Sequence, residues 1–115
     1  MSDYHEPYEL LDPETRDTHR ALVSLREEVE AIDWYSQRIA VCADADLKHV
    51  LTHARDEEIE HACLALEWLR KHHPKWDFEL RKRLFNEGVD RSDIDERGAQ
   101  PQGGGLGVGQ TRKGG

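Results

Sequence analysis

Long apolar runs are missing from this chain of 115 residues, which excludes a transmembrane helix of about 20 residues. The opening stretch MSDYHEPYELLDPE has neither the basic start nor the apolar core of a secretory signal, so a cytoplasmic location is expected. Cysteine is scarce. Cys42 and Cys63 are too far apart to form a close metal-ligand pair, and a reducing compartment leaves both as thiols. Positive charge is in deficit: 16 Lys and Arg stand against 24 Asp and Glu, a formal net charge of -8. That balance repels phosphate backbones, which argues against nucleic acid as a partner, and it attracts cations. Hydrophobic residues make up only 37% and mean hydropathy is -0.85. A domain this small buries too little apolar surface alone, and self-association is the expected remedy.

What is present is helical periodicity. Asp12, Pro13 and Glu14 read as an N-cap, a first-turn proline and a first-turn acid, opening a helix that runs to about Ala40. Thr18, Ala21, Leu25, Glu28, Ile32, Tyr35 and Ile39 follow 3,4 spacing along one seam of it. Asp44 is a second N-cap, after which Leu47, Leu51, Ala54, Glu58, His61, Ala65 and Trp68 repeat that spacing until Pro74. The short link predicts an antiparallel hairpin of two helices, each about 40 Å long. A third helix, from about Lys75 to Asn86, carries Trp76, Leu80 and Leu84 on one side, with Gly88 as its terminator. From about Val89 the composition turns to Asp, Arg, Gln and Gly, too poor in apolar residues to fold. The domain reading is therefore 1–88 helical and 89–115 flexible tail.

Both seams are interrupted near their middles by groups that burial penalises: Glu28 on the first helix, Glu58 and His61 on the second. Glu58 and His61 are spaced i, i+3, which sets a carboxylate and an imidazole on one helical face. Glu-x-x-His opposite a lone Glu is one half of the ligand set of ferritin-like di-metal proteins, which require it twice. One chain offers it once, so a symmetric dimer supplies the remainder. The expected fold is all-α: an antiparallel two-helix hairpin plus a short C-terminal helix, half of a four-helix bundle completed by dimerisation, with a disordered tail. Taken singly, Glu28 is equally well a half-exposed seam glutamate, and a lone His61 says little.

Other groups flank the seams. Glu27 and Glu30 form an acidic row beside Val23 and Trp34 that either attracts cations or is an ordinary solvated face. His53, Glu57 and Glu60 follow i, i+4, i+7, reading as an outer metal stripe or as solvated charge paired with Arg55 or Arg26. His49 precedes them by a turn, and His72 and His73 decorate or cap a helix end. Tyr35 lies two turns from Glu28, its hydroxyl within reach of a ligand carboxylate or of the metal as a catalytic group, and Trp34 is its neighbour; interface packing is the alternative for both.

EEVEAIDWY on the first helix, followed by HARDEEIEHACLALEWLR on the second, resembles the encapsulated ferritins over roughly residues 5 to 88. The resemblance implies a two-helix protomer that is half of a ferritin bundle, with dimers assembling into an annular homodecamer. It implies ferroxidase activity, Fe(II) to Fe(III) with dioxygen, at a di-iron site between two subunits, two irons per dimer interface. By position the ferroxidase ligands fall on Glu28, Glu58 and His61, the central tyrosine on Tyr35 and its tryptophan neighbour on Trp34. The acids where metal enters, a position that also suits calcium, fall on Glu27 and Glu30, and an outer metal position on His53, Glu57 and Glu60. In the tail, Leu106, Val108, Gly109 and Arg112 are similar to the peptide, at 106–113, that docks such cargo inside an encapsulin shell. Thr111 departs from that pattern, which usually has an apolar residue there. The implied setting is iron storage and detoxification within a cytoplasmic encapsulin compartment. Rival expectations from other classes are a non-catalytic helical adaptor whose seam charges fix register, and a structural metal site, such as zinc, with closed coordination.

Overall fold

Asp12 starts the first long helix as its residue type requires. Its Oδ1 accepts the Thr15 backbone N–H at 2.8 Å, and Pro13 occupies the first turn, where its missing N–H costs nothing. The Thr15 hydrogen bonds hold the Asp12 carboxyl below its ordinary range. In the computed structural model, which describes residues 3–88, this helix, α1, spans Pro13–Val41. A 3-10 turn at Tyr8–Leu10 precedes it. Tyr4 stacks on His19 with centroids 4.2 Å apart, and the Arg16 guanidinium lies 3.9 Å over the Tyr8 ring while donating to the Tyr8 carbonyl at 2.8 Å. An Arg26–Asp3 pair at 2.9 Å ties the leading segment to the helix.

The chain turns through Cys42–Asp44. Asp44 Oδ2 accepts the Leu47 N–H at 2.7 Å, and α2 runs Ala45–His72, stopping before Pro74. His61 lies beside Glu28, and Ala65 and Trp68 share a groove with Ala21 and Asp17, so α1 and α2 are antiparallel. A third helix, α3, spans Pro74–Arg83. The described residues contain no strand, and none of their helices is long and apolar enough to cross a membrane. The protein is all-α.

The chain forms two units, up to Leu69 and from Arg70 onward. In the first, all seven α1 seam residues are half-buried. On α2 five of the seven expected seam residues, Leu51, Ala54, Glu58, Ala65 and Trp68, are half-buried, while the deepest burial lies beside the seam. Ala62 and Leu69 are buried, Leu51, Arg55, Glu58 and Leu66 half-buried, whereas Leu47 and His61 are exposed. Two helices bury only a narrow line of contact; the rest of a wide apolar stripe, Leu47, Val50 and Leu64, remains outside it at 50–59% exposure.

In the second unit Phe78 is buried under the Lys75 and Lys82 ammonium groups, 5.1 and 5.5 Å from its centroid. Asp77 Oδ1 accepts from Arg70 at 2.6 Å and from Arg81 at 2.9 Å. The helix ends at Arg83, not at Asn86. Phe85 takes the left-handed conformation, φ 61, and the Asn86 side-chain amide donates to the carbonyls of Arg81 and Lys82. Those carbonyls are satisfied before Gly88, which sits in the following turn at φ 83. With the helix closed early, Leu84 leaves the expected Trp76–Leu80 side and is 48% exposed. Residues 89–115, including Leu106, Val108, Gly109 and Arg112, lie outside the described residues.

Candidate metal centre

Helical phase brings three side chains together. The i, i+3 step on α2 places Glu58 Oε1 3.5 Å from His61 Nδ1, and the antiparallel crossing brings Glu28 Oε1 of α1 to 3.7 Å from the same nitrogen. One ligand atom from each residue lies within 4.8 Å of the other two. Some point is then within about 2.8 Å of all three, against metal–ligand bonds of about 2.0–2.2 Å, so shifts below about 1 Å close them on an ion. No other group of three His, Cys, Asp or Glu among the described residues comes so close. The Glu28 and Glu58 side chains retain 24% and 26% of their exposure and His61 47%.

The electrostatics fit a cation. The Glu28 carboxyl is pushed above its ordinary range, first by a hydrogen bond with Glu58, then by burial and the Glu58 charge, with His61 opposing. A carboxyl raised by a neighbouring carboxylate and by burial is a site where a cation can take the place of a proton. The donors, oxygen and imidazole nitrogen, suit iron and other first-row divalent ions.

Toward the start of α1, His61 adjoins an open groove of about 530 Å³ lined by Asp17, Arg20, Ala21, Ser24, Leu64, Ala65 and Trp68. Ala21 and Ala65 make it shallow-walled, and an Asp17–Arg20 pair at 2.6 Å edges it. Sequence spacing did not single out Asp17, Arg20 and Ser24, because they lie beside the apolar seam.

The matching family model covers residues 3–87 and is described as EncFtn-like. The chain belongs to the EncFtn-like family. Among similar proteins, the "Encapsulated ferritin-like protein" of Rhodospirillum rubrum is 45% identical over 111 residues, 96% of this chain and 79% of that one. The "Ferritin-like protein" of Thermotoga maritima is 46% identical over 112 residues, 94% of this chain and 97% of that one. A crystal structure of protein ne0167 from Nitrosomonas europaea has 51% identity and a TM-score of 0.73, covering 76% of this chain and 97% of that one.

The remaining candidate residues do not join the trio in this EncFtn-like chain. Tyr35 is half-buried further along α1, with the Arg38 guanidinium 5.1 Å over its ring. Trp34 is 50% exposed, and Glu27 and Glu30 are exposed on α1. His53 Nε2 lies 3.5 Å from Glu57 Oε2, with Glu60 exposed on the next turn. The expected cation partners of that stripe are engaged elsewhere: Arg55 with Asp56 and Arg26 with Asp3. His73 is the α3 N-cap residue without a side-chain cap bond. Cys42 and Cys63 are free thiols.

Proposed function

We propose that this protein is a ferroxidase, oxidising ferrous iron with dioxygen at a site that two subunits complete, for storage of the ferric product inside an encapsulin shell. The observation that carries this reading is the convergence of Glu28, Glu58 and His61 within 4.8 Å. Membership of an iron-related, ferritin-like family supports it. Each chain supplies two carboxylates and one imidazole, and a two-iron site of the ferritin-like kind uses four and two; a two-fold pairing doubles the set. The half-exposed His61 ring and the adjoining groove offer the second copy a seat.

The acidic row of Glu27 and Glu30 draws cations toward the trio, the same pair that would take calcium, while His53, Glu57 and Glu60 hold ions further out. Ferrous iron binds the Glu28 and Glu58 carboxylates and a ring nitrogen of His61, displacing any proton that the raised Glu28 carboxyl holds. The anionic oxygens favour the ferric state. Two ferrous ions release one electron each, and dioxygen takes both with two protons to leave as hydrogen peroxide. Tyr35, with Trp34 beside it, lies along the same helix as a positioning group. Paired subunits build an annular decamer, and Leu106, Val108, Gly109 and Arg112 of the tail dock that ring inside the shell.

Anaerobic ferrous titration of the purified oligomer, followed by oxygen, tests the reading. About one iron per chain binds and converts to the ferric absorbance. A monomer turning over iron at full rate, or an oligomer that leaves iron ferrous under oxygen, overturns it.

A further inference from the structure

The residues before α1 lie along one face of that helix. At about 100° per residue, Arg16, His19, Val23 and Arg26 share a face that Glu27, Glu30 and Trp34 continue. The leading segment meets this face at three points, which advance toward the acids as the chain is followed back to its start. The Tyr8 carbonyl accepts from Arg16 at 2.8 Å, the Tyr4 ring stacks on His19 at 4.2 Å, and Asp3 Oδ2 accepts from Arg26 Nη2 at 2.9 Å. Asp3, the first described residue, thus lies beside the turn of α1 that leads into Glu27 and Glu30.

Arg26 is singular on this stretch. From Val23 to Trp34 it is the one Lys or Arg of α1, set against Glu27, Glu28, Glu30 and Asp33. It stands four residues before Glu30, a spacing at which opposite charges on a helix pair. Its guanidinium goes to Asp3 instead, and Glu27 and Glu30 pair with no cation among the described residues. The other arginines of α1 are engaged elsewhere: Arg16 over Tyr8, Arg20 with Asp17 and Arg38 over Tyr35.

We propose that Asp3 is a positioning residue for cation capture: it holds Arg26 away from Glu30, so that an incoming divalent ion meets the Glu27 and Glu30 carboxylates without a counter-charge from their own helix. This rests on the reading of that row as the point where cations arrive, and adds its control by a residue outside α1. With Asp3 neutral, Arg26 turns onto Glu30 and has to be displaced before a metal binds there. Both partners of the Arg26–Asp3 pair are exposed, at 60% and 47%, so the effect is largest at low salt.

Terbium(III) is the probe, because an adjacent indole excites its luminescence and Trp34 lies four residues past Glu30. The part of the signal from the full chain that Trp34→Phe removes reports on the row, apart from ions held near Trp68 or Trp76. Asp3→Asn is expected to weaken this binding about threefold at low salt, Asp3→Glu to restore it, and Arg26→Gln to bind at least as tightly as wild type. The double variant separates position from charge: in the Arg26→Gln background Asp3→Asn has no further effect, whereas a carboxylate acting only through its own field weakens binding equally in both backgrounds. Wild-type affinity in Asp3→Asn, or an equal loss with and without Arg26, overturns the proposal while the reading of the row stands. A Trp34-dependent signal that is absent, or that Glu30→Gln leaves unchanged, overturns both.

Discussion

Replacing Glu28 by Gln separates what the carboxylate does for the fold from what it does for iron. Its folded pKa lies above the ordinary value because of Glu58 and burial. Its contribution to stability is therefore present at acidic pH and lost as pH rises through the raised value, above which its charge opposes folding beside Glu58. The neutral amide keeps a hydrogen-bond donor for Glu58, so the iron-free variant at pH 7 melts at or above the wild-type temperature. Iron binding moves the other way. At the proposed two-subunit site, two copies of the trio offer four negative charges to two divalent ions, and the variant offers two. Removing one partner of a buried charge pair costs about 3–5 kcal/mol. Glu28 retains 24% side-chain exposure, which lowers this to about 2–3 kcal/mol, or about 30- to 150-fold in ferrous affinity. Anaerobic titration calorimetry reads the affinity, and stopped-flow ferric absorbance after oxygen reads the rate. Wild-type affinity for iron in the variant, or loss of its fold without iron, refutes the reasoning. In the wild type, affinity also falls as pH drops, since protonation of the raised Glu28 carboxyl competes with the metal.

Two further outcomes follow from the fold. Leu69, with 0% exposure, is the largest fully enclosed side chain among the described residues, and Leu69→Ala lowers the unfolding free energy by about 2–5 kcal/mol in a chemical melt. Asp44→Ala removes the acceptor of the Leu47 N–H and costs about 1 kcal/mol, measured as a lower melting temperature without change in iron binding at the trio.

Much of the hairpin was legible beforehand because its signals are local. Asp12 with Pro13, Asp44, and Pro74 mark helix ends through hydrogen bonds within one turn. The trio was legible because charged groups interrupt two periodic stripes, and antiparallel pairing then brings the interruptions to one level. The deepest burial on α2 was not. Periodicity identifies an apolar stripe but not which half of it one neighbour covers, so Leu47 and His61 were placed in a seam whose burial falls on Ala62 and Leu69. The end of α3 was missed because Gly88 is the usual stop signal, whereas Asn86 and a left-handed Phe85 do that work earlier. Phe78, out of phase with Trp76, Leu80 and Leu84 on a helix of 10 residues, gave too short a pattern to reveal the buried side.

The sparse enclosure of side chains, with only Ala62, Leu69 and Phe78 buried among the described apolar residues, changes how sequence variation in this protein should be weighed. Ranking substitutions by depth within one subunit would score Val50 or Leu64 as tolerant positions and expect drift there. A chain that shows so many aliphatic groups to its surroundings is instead answerable at those positions to whatever meets them. Harm from such changes would surface as altered company rather than as a lost fold.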